Sequence, residues 1–245
     1  MRNALGLVAL LGGCQLAFGL DPVSSRADGG GATDARAMPG VVAHYAMDAL
    51  PDKSATCLID DSGHGRDGIC YGDAPTVVPG RIGSAFQLAG MSRIQIATAT
   101  PLAGPGAFTI AGWIYPTGPL TDGMCPFNRP VGNASEDSWQ VCLSDTSIAF
   151  YLQGGDPIMF AQPPQAKHWY HLAIASTGTD VTAFVNGTAV ATISATPTFD
   201  SSAIQLGTDV DAGGTPAAPV VGAIDDVWIF DRVLTAAEID SLETP

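Results

Sequence analysis

From residue 41 to the C terminus, short apolar runs recur between clusters of Gly, Pro and Asp, and no stretch before residue 235 carries a helical period. The runs are VVAHYAM, SAFQL, RIQIA, FTIAGWIYP, WQVCL, IAFYL, WYHLAIAS, VTAFV, AVATIS, AIQLG and VWIFD. Runs of this length bounded by turn residues read as strands. A body built almost wholly of them makes one β-sandwich with a sizeable core. Several runs alternate. Phe108, Ile110 and Ile114 share a face with Gly112 between them, and Val181, Ala183 and Val185 share another. Asn186-Gly187 follows directly, the strongest short-range hairpin signal. The period changes only at the end, where IDDVWIF runs into a short amphipathic segment. Thr235 precedes Glu238 by three residues, so each side chain can satisfy a free N–H at a helix start.

Composition limits the partners. The 245 residues carry a formal charge of −14, spread along the chain, with no basic stripe to neutralise phosphates. Nucleic acid is therefore excluded as a partner, and the dispersed acid reads as a solubility feature.

Residues 1–13 read as an export signal, with Arg2 ahead of the apolar stretch 4–11. That stretch is too short to span a bilayer. L-G-G-C at 11–14 resembles a bacterial lipobox, which implies cleavage before Cys14 and acylation of that residue. The competing reading is ordinary secretion with cleavage after residues 17–19. Residues 14–40, rich in Gly and poor in apolar periodicity, read as the tether between anchor and body. The folded body is expected over 41–245. Gln15 stands where an Asp would favour inner-membrane retention. The expected address is thus the bacterial cell envelope at the outer membrane or cell surface, with membrane contact only through the lipid.

Cysteine count agrees with this. Lipidation of Cys14 leaves four, Cys57, Cys70, Cys125 and Cys142, an even number suited to an oxidising compartment. Of the three pairings, the local one is expected: Cys57 with Cys70 and Cys125 with Cys142, each contributing about 3 kcal/mol by loop entropy. Zinc is not indicated, since no C-x-x-C pair occurs and no His has zinc-type spacing to a Cys.

In order, six pieces resemble the laminin-G-like jelly roll of the concanavalin A-like lectin/glucanase superfamily, as found in bacterial surface proteins. They are VVAHYAMD, DDSGHGRDG (60–68), GRIGSAFQLAG (80–90), FTIAGWIYP (108–116), HWYHLAIASTGTDVTAFVNGTAV (168–190) and GAIDDVWIFDRVLTAAEI (222–239). The resemblance covers nearly the whole body. It implies an all-β, two-sheet antiparallel jelly-roll sandwich with one short C-terminal helix. It also implies a fold often non-catalytic, with members that bind carbohydrate or protein. Trp113, Trp169 and His171 match core positions of the pattern. Some members hold a structural calcium ion, and Asp48, Asp61 and Asp225 match acidic positions, although Ala89 stands where many members carry Asp. Calcium needs six to eight oxygens. The alternative is that Asp61 caps a turn and Asp225 holds a loop by hydrogen bonds.

Catalytic patterns are missing. The E-x-D-x-x-E arrangement of related glucanases does not occur, and the three Glu are Glu136, Glu238 and Glu243. Asp60/Asp61 and Asp225/Asp226 are adjacent, and neighbours on a strand point to opposite faces. Neither pair then forms the dyad of about 5–5.5 Å that retaining hydrolysis requires. No G-x-S-x-G or phosphate loop appears, and His64 falls in a turn. The expected function is a non-catalytic cell-surface module recognising an extracellular carbohydrate. The alternatives are a structural or adhesive module that binds a surface protein and, more remotely, a glycoside hydrolase. Trp139 with Tyr151 on neighbouring strands is the candidate sugar platform; otherwise both are core. Residues 117–138, rich in Pro and Gly, read as a binding loop, or as an edge cover if Cys125 is bridged.

Overall fold

Alternation, turn chemistry and the capping box are realised in a computed structural model that describes residues 38–52, 56–97, 106–132, 136–210 and 216–244. The expected signal peptide, Cys14 and the tether to residue 37 lie outside the described residues. In chain order the first strands are β1 (Val41–Tyr45), β2 (Thr56–Leu58), β3 (Gly68–Tyr71), β4 (Thr76–Pro79), β5 (Ser84–Leu88), β6 (Arg93–Ile96), β7 (Phe108–Pro116), β8 (Met124–Val131) and β9 (Glu136–Leu143). Then come β10 (Ile148–Leu152), β11 (Ile158–Phe160), β12 (Tyr170–Ser176), β13 (Asp180–Val185), β14 (Thr188–Ser194), β15 (Ile204–Leu206), β16 (Asp209–Val210), β17 (Pro216–Ala217), β18 (Gly222–Phe230) and helix α1 (Ala236–Ser241).

The first sheet runs β14-β13-β12-β7-β18-β5-β4, with β1 also paired to β18, and the second runs β11-β10-β9-β8-β15-β6-β3-β2. The described residues thus form the two-sheet antiparallel sandwich expected, with one short helix. Between the sheets, Ile110, Ile114, Leu172 and Ile174 from the first meet Phe127, Val141, Phe150 and Ile94 from the second. Each such side chain contributes about 1.5–3 kcal/mol on burial. A second apolar cluster lies on the outer face of the first sheet. There Leu234, Ile239 and Leu242 pack on Phe184, Trp228 and Phe230, so α1 covers part of that face. The capping box holds it: Glu238 N–H donates to Thr235 Oγ1 at 3.3 Å and Thr235 N–H to Glu238 Oε2 at 2.8 Å. The bond from Arg232, then that from the Thr235 N–H, pushes the Glu238 carboxyl down to about 2.

Strand β18 serves two partners along one edge, β5 over Gly222–Ile224 and β1 over Val227–Phe230, with a register shift against β7 between Asp225 and Trp228. Asp226 sits in that bulge at φ 47°, a conformation Asp tolerates better than most residues. The alternation expected for Asp225/Asp226 is interrupted there. The Asp226 carboxylate accepts from His44 Nε2 at 2.7 Å and Trp228 Nε1 at 2.8 Å, on the helix-covered side of the sheet. The hairpin at Asn186-Gly187 forms as expected, both residues at positive φ, 47° and 69°.

Residues 117–138 correct the sequence reading. Their centre is β8, buried along its whole length in the middle of the second sheet, rather than a binding loop or an edge cover. Pro126 and Pro130 disguise it. The register shifts of this strand fall between Met124 and Phe127 and between Arg129 and Pro130, where a residue without an N–H is accommodated. Both disulfides take the local pairing: Cys57–Cys70 joins β2 to β3 and Cys125–Cys142 joins β8 to β9, with Cα–Cα distances of 5.7 and 4.1 Å.

Candidate ligand-binding site

The phase of the β9–β10 hairpin decides which side chains meet solvent. Leu152 stands opposite Trp139, and Tyr151 opposite Gln140. Trp139, Val141 and Leu143 therefore face the core with Ile148, Phe150 and Leu152, while Gln140 and Tyr151 face outward. The Trp139–Tyr151 platform does not form. Trp139 is 2% exposed and packs near Phe108 at 6.3 Å between ring centroids, whereas Tyr151 is 42% exposed. Trp169 also departs from expectation. It is half-buried, edge-on to Trp113 at 6.4 Å and 5.1 Å from Tyr115.

Tyr151 borders an open pocket of about 450 Å³ lined also by Asp137, Gln140, Leu152, Gln153, Gly154, Gly155 and Pro157. Its size falls in the range of small-molecule sites. The turn after β10 forms one wall. Gly155 packs closely there, since a Cβ would meet Ile193 Cδ1 at 3.0 Å and Ala195 Cβ at 3.1 Å and press both back by a few tenths of an ångström. Gln153 Oε1 accepts from the Thr198 N–H at 2.8 Å and from the Thr198 hydroxyl, which fixes the side chain.

Behind Tyr151, four amide side chains lie in one row across adjacent strands. Gln140 on β9 is opposite Asn128 on β8, Asn128 opposite Gln205 on β15, and Gln205 opposite Gln95 on β6. Asn128 Nδ2 donates to Asp209 at 2.8 Å and to Asp137 at 3.3 Å, which orients the pocket's carboxylate. Gln140 Nε2, Asn128 Oδ1 and Gln205 Oε1 are buried without hydrogen-bond partners. Such atoms carry a desolvation cost until a partner arrives. The Cys125–Cys142 bridge braces the two strands that carry Asn128 and Gln140. An aromatic face beside groups that both donate and accept suits a ligand with an apolar face and hydroxyl edges. Arg129, next to Asn128, points the other way. Its guanidinium lies 4.9 Å over Phe199 and donates to Asp200 O at 2.9 Å, and burial lowers its pKa to about 10.

The acids nominated for calcium hold backbone instead. Asp48 Oδ1 accepts from Ser84 N–H at 2.7 Å and Asp61 Oδ2 from Ala46 N–H at 3.0 Å. Asp225 Oδ2 accepts from the N–H groups of Arg81 and Ile82 at 2.7 and 2.9 Å. Among the described residues no group of three or more His, Cys, Asp or Glu is placed to hold a metal ion. Asp48 and Asp225 both accept from N–H groups of the 81–84 turn while Asp61 accepts from Ala46, so the three carboxylates serve as backbone acceptors and are not gathered into one group of metal ligands among the described residues. Asp225 is fully buried, and that burial, with the negative charges of Asp226 and Asp48 adding to it, pushes its carboxyl up to about 8 against the two N–H bonds. The DSGHG turn is held by Asp60. Burial raises that carboxyl, but bonds from Ser62, Arg66 and His44 outweigh it and keep it below the usual range. His171 is buried against Trp113, with Nδ1 3.1 Å from Glu243 Oε1, a packing role as its position in the pattern implied.

The profile of a laminin-G family of the concanavalin A-like lectin/glucanases superfamily matches residues 88–240. No curated protein matches the chain. Among solved structures, the binding domain of botulinum neurotoxin serotype C1 superposes with a TM-score of 0.64 at 15% identity, covering 84% of this chain and 52% of that one. A botulinum neurotoxin type C structure, described as dependent for cell entry on two ganglioside molecules, gives 0.62 at 18% identity over 83% and 50%. The botulinum neurotoxin DC binding domain in complex with rat synaptotagmin II gives 0.61 at 17% over 83% and 51%. The chain spans about half the length of these structures, and the likeness is one of fold.

Proposed function

Because the chain belongs to the laminin-G-like family of the concanavalin A-like lectin/glucanases superfamily, we propose that it is a non-catalytic binding module that recognises an extracellular carbohydrate through the Tyr151 pocket. The observation that carries this is the exposed Tyr151 ring bordering a pocket that Asp137, Gln140 and Gln153 also line. Aromatic stacking and amide hydrogen bonds together fit a sugar's apolar face and hydroxyl rim. That one structural neighbour is named for dependence on a glycolipid, a ganglioside, supports a sugar ligand as a class and not that ligand in particular. A non-catalytic role fits the engagement of the acids: Asp225 and Asp226 hold backbone and side chains, Glu238 caps α1, and Glu243 meets His171.

Glycan-array binding by the purified full chain, in calcium and then in chelator, tests this proposal. Saturable binding that Tyr151→Ala removes is expected. A blank array from folded protein overturns it and favours the second reading, a protein-binding module. That reading draws on Ile69 and Tyr71, which are 42% and 39% exposed on β3 at the far end of the same sheet, and on the synaptotagmin II complex of a neighbour. The proposal includes the address read from the sequence: Cys14 acylated, holding the domain at a bacterial cell surface. Mass spectrometry of the mature N terminus checks it, and cleavage after residue 19 without lipid refutes it. Among the described residues no helix is long and apolar enough to cross a membrane.

A further inference from the structure

Charge decides which sugars such a pocket can take. Ten Lys and Arg occur in the chain, and those among the described residues are Arg66, Arg81, Arg93, Arg129, Lys167 and Arg232. None of them lines the pocket. Arg129 is nearest in sequence, yet it is buried on the other side of β8 beneath Phe199. Arg232 pairs with Glu238 at 2.8 Å, Arg66 donates to Val42 O, and Arg81 and Arg93 lie over the rings of Trp113 and Tyr71 at 4.9 and 4.7 Å. Among the described residues the carboxylate lining the pocket is Asp137, and the chain's net charge is −14. An anionic group on a ligand would lose water beside Asp137 with no Lys or Arg of the described residues lining the pocket to compensate, and like charges brought together disfavour binding.

The neutral partners are in place. Gln140, 8% exposed, brings an Nε2 that donates to nothing in the fold. Asp137 is oriented by Asn128 and accepts, and Gln153 is fixed by Thr198 at the opposite wall. Adjacent hydroxyls on a pyranose can donate to Asp137 and meet the uncharged amide side chains that line the pocket while the ring's apolar face lies on Tyr151.

We propose that the Tyr151 pocket selects uncharged pyranosides with adjacent free hydroxyls and rejects sialylated, uronate and sulfated glycans. This rests on the carbohydrate reading of that pocket and sets the chain apart from a ganglioside-type ligand.

The test is calorimetric titration of the full chain with neutral oligosaccharides and with their sialylated and sulfated counterparts, at low and high salt. Tyr151→Ala and Gln140→Leu are the variants. Tyr151 is exposed, and Gln140→Leu removes a buried unpartnered polar group, so both variants should melt close to the parent protein. The expected result is binding of a neutral glycan at least about tenfold tighter than its anionic counterpart, insensitive to salt and weakened about tenfold by either substitution. Tighter binding of the anionic form, still lost in Tyr151→Ala, overturns the charge selectivity and leaves the carbohydrate reading standing. No glycan binding at all, or binding untouched by both substitutions, overturns both.

Discussion

Replacing Asp225 by asparagine separates a buried neutral acid from a buried carboxylate. The side chain is fully buried, with Oδ2 taking two backbone N–H bonds and Oδ1 taking none. Burial raises its folded-state pKa to about 8, against about 3.9 for an unfolded Asp. Between those values the native state keeps a proton that the unfolded state has released. Its proton-linked stability is therefore fully present below about pH 4 and lost as pH rises to about 8, at about 1.4 kcal/mol per pH unit. From about pH 5 to pH 7 the loss is about 3 kcal/mol. Asparagine can still accept from Arg81 and Ile82 through its carbonyl oxygen and cannot ionise. Urea unfolding of the parent and Asp225→Asn, measured across that range in chelator, should show the variant gaining on the parent by about 3 kcal/mol over those two units. Subtracting the two profiles cancels the contributions of titrating groups that do not couple to Asp225, leaving its own and those of its neighbours Asp226 and Asp48. Parallel profiles would falsify the neutral-acid assignment, whatever constant offset the asparagine amide adds. That result would mean that the two N–H groups hold an ionised carboxylate despite its burial.

The disulfides close segments with sequence separations of 13 and 17. Replacing either pair by serine should cost about 3 kcal/mol in denaturant unfolding, and a loss near zero would show that the unfolded state does not feel the constraint. Trp139→Ala should cost about 3–5 kcal/mol through the core cavity it leaves, while Tyr151→Ala should change stability by about 0.5 kcal/mol or less. Equal costs would refute the phase assigned to the β9–β10 hairpin. Thr235→Ala removes the cap of α1 and should lower stability by about 1 kcal/mol in thermal unfolding. Glu238→Gln should flatten the acid limb of the stability profile. The Glu238 carboxyl is held down near 2, so its contribution is present above the unfolded pKa and lost as pH falls toward that value. An unchanged acid limb would count against the Arg232 and Thr235 bonds as its cause.

The fold could be read from the sequence wherever apolar alternation and turn chemistry agree, as in β7, in β13 with its Asn186-Gly187 turn, and in the Thr235 cap. The reading failed where one signal masked another. Pro126 and Pro130 made β8 look like loop, because proline argues against a central strand unless bulges supply places for it, and bulges form only once a partner strand is present. Trp139 was legible in principle. W-Q-V-C-L and I-A-F-Y-L both alternate, and their apolar phases put Trp139, Val141 and Leu143 on one side and Tyr151 on the other. Pairing the two aromatics as a platform ignored that phase. Gln140 could have been found by the same rule, as the polar residue between two core residues. The amide row could not. Gln140, Asn128, Gln205 and Gln95 come from four strands whose order in the sheet, β9-β8-β15-β6, follows from long crossovers and not from any local pattern. The bulge at Asp225 and Asp226 is equally non-local, since it is defined by the register against β7 and falls where the other edge of β18 passes from β5 to β1. Local periodicity thus specifies which side of a strand meets the core, and only the sheet order determines which outward side chains become neighbours. A binding face assembled from outward side chains is for that reason the part of such a sandwich least visible in its sequence.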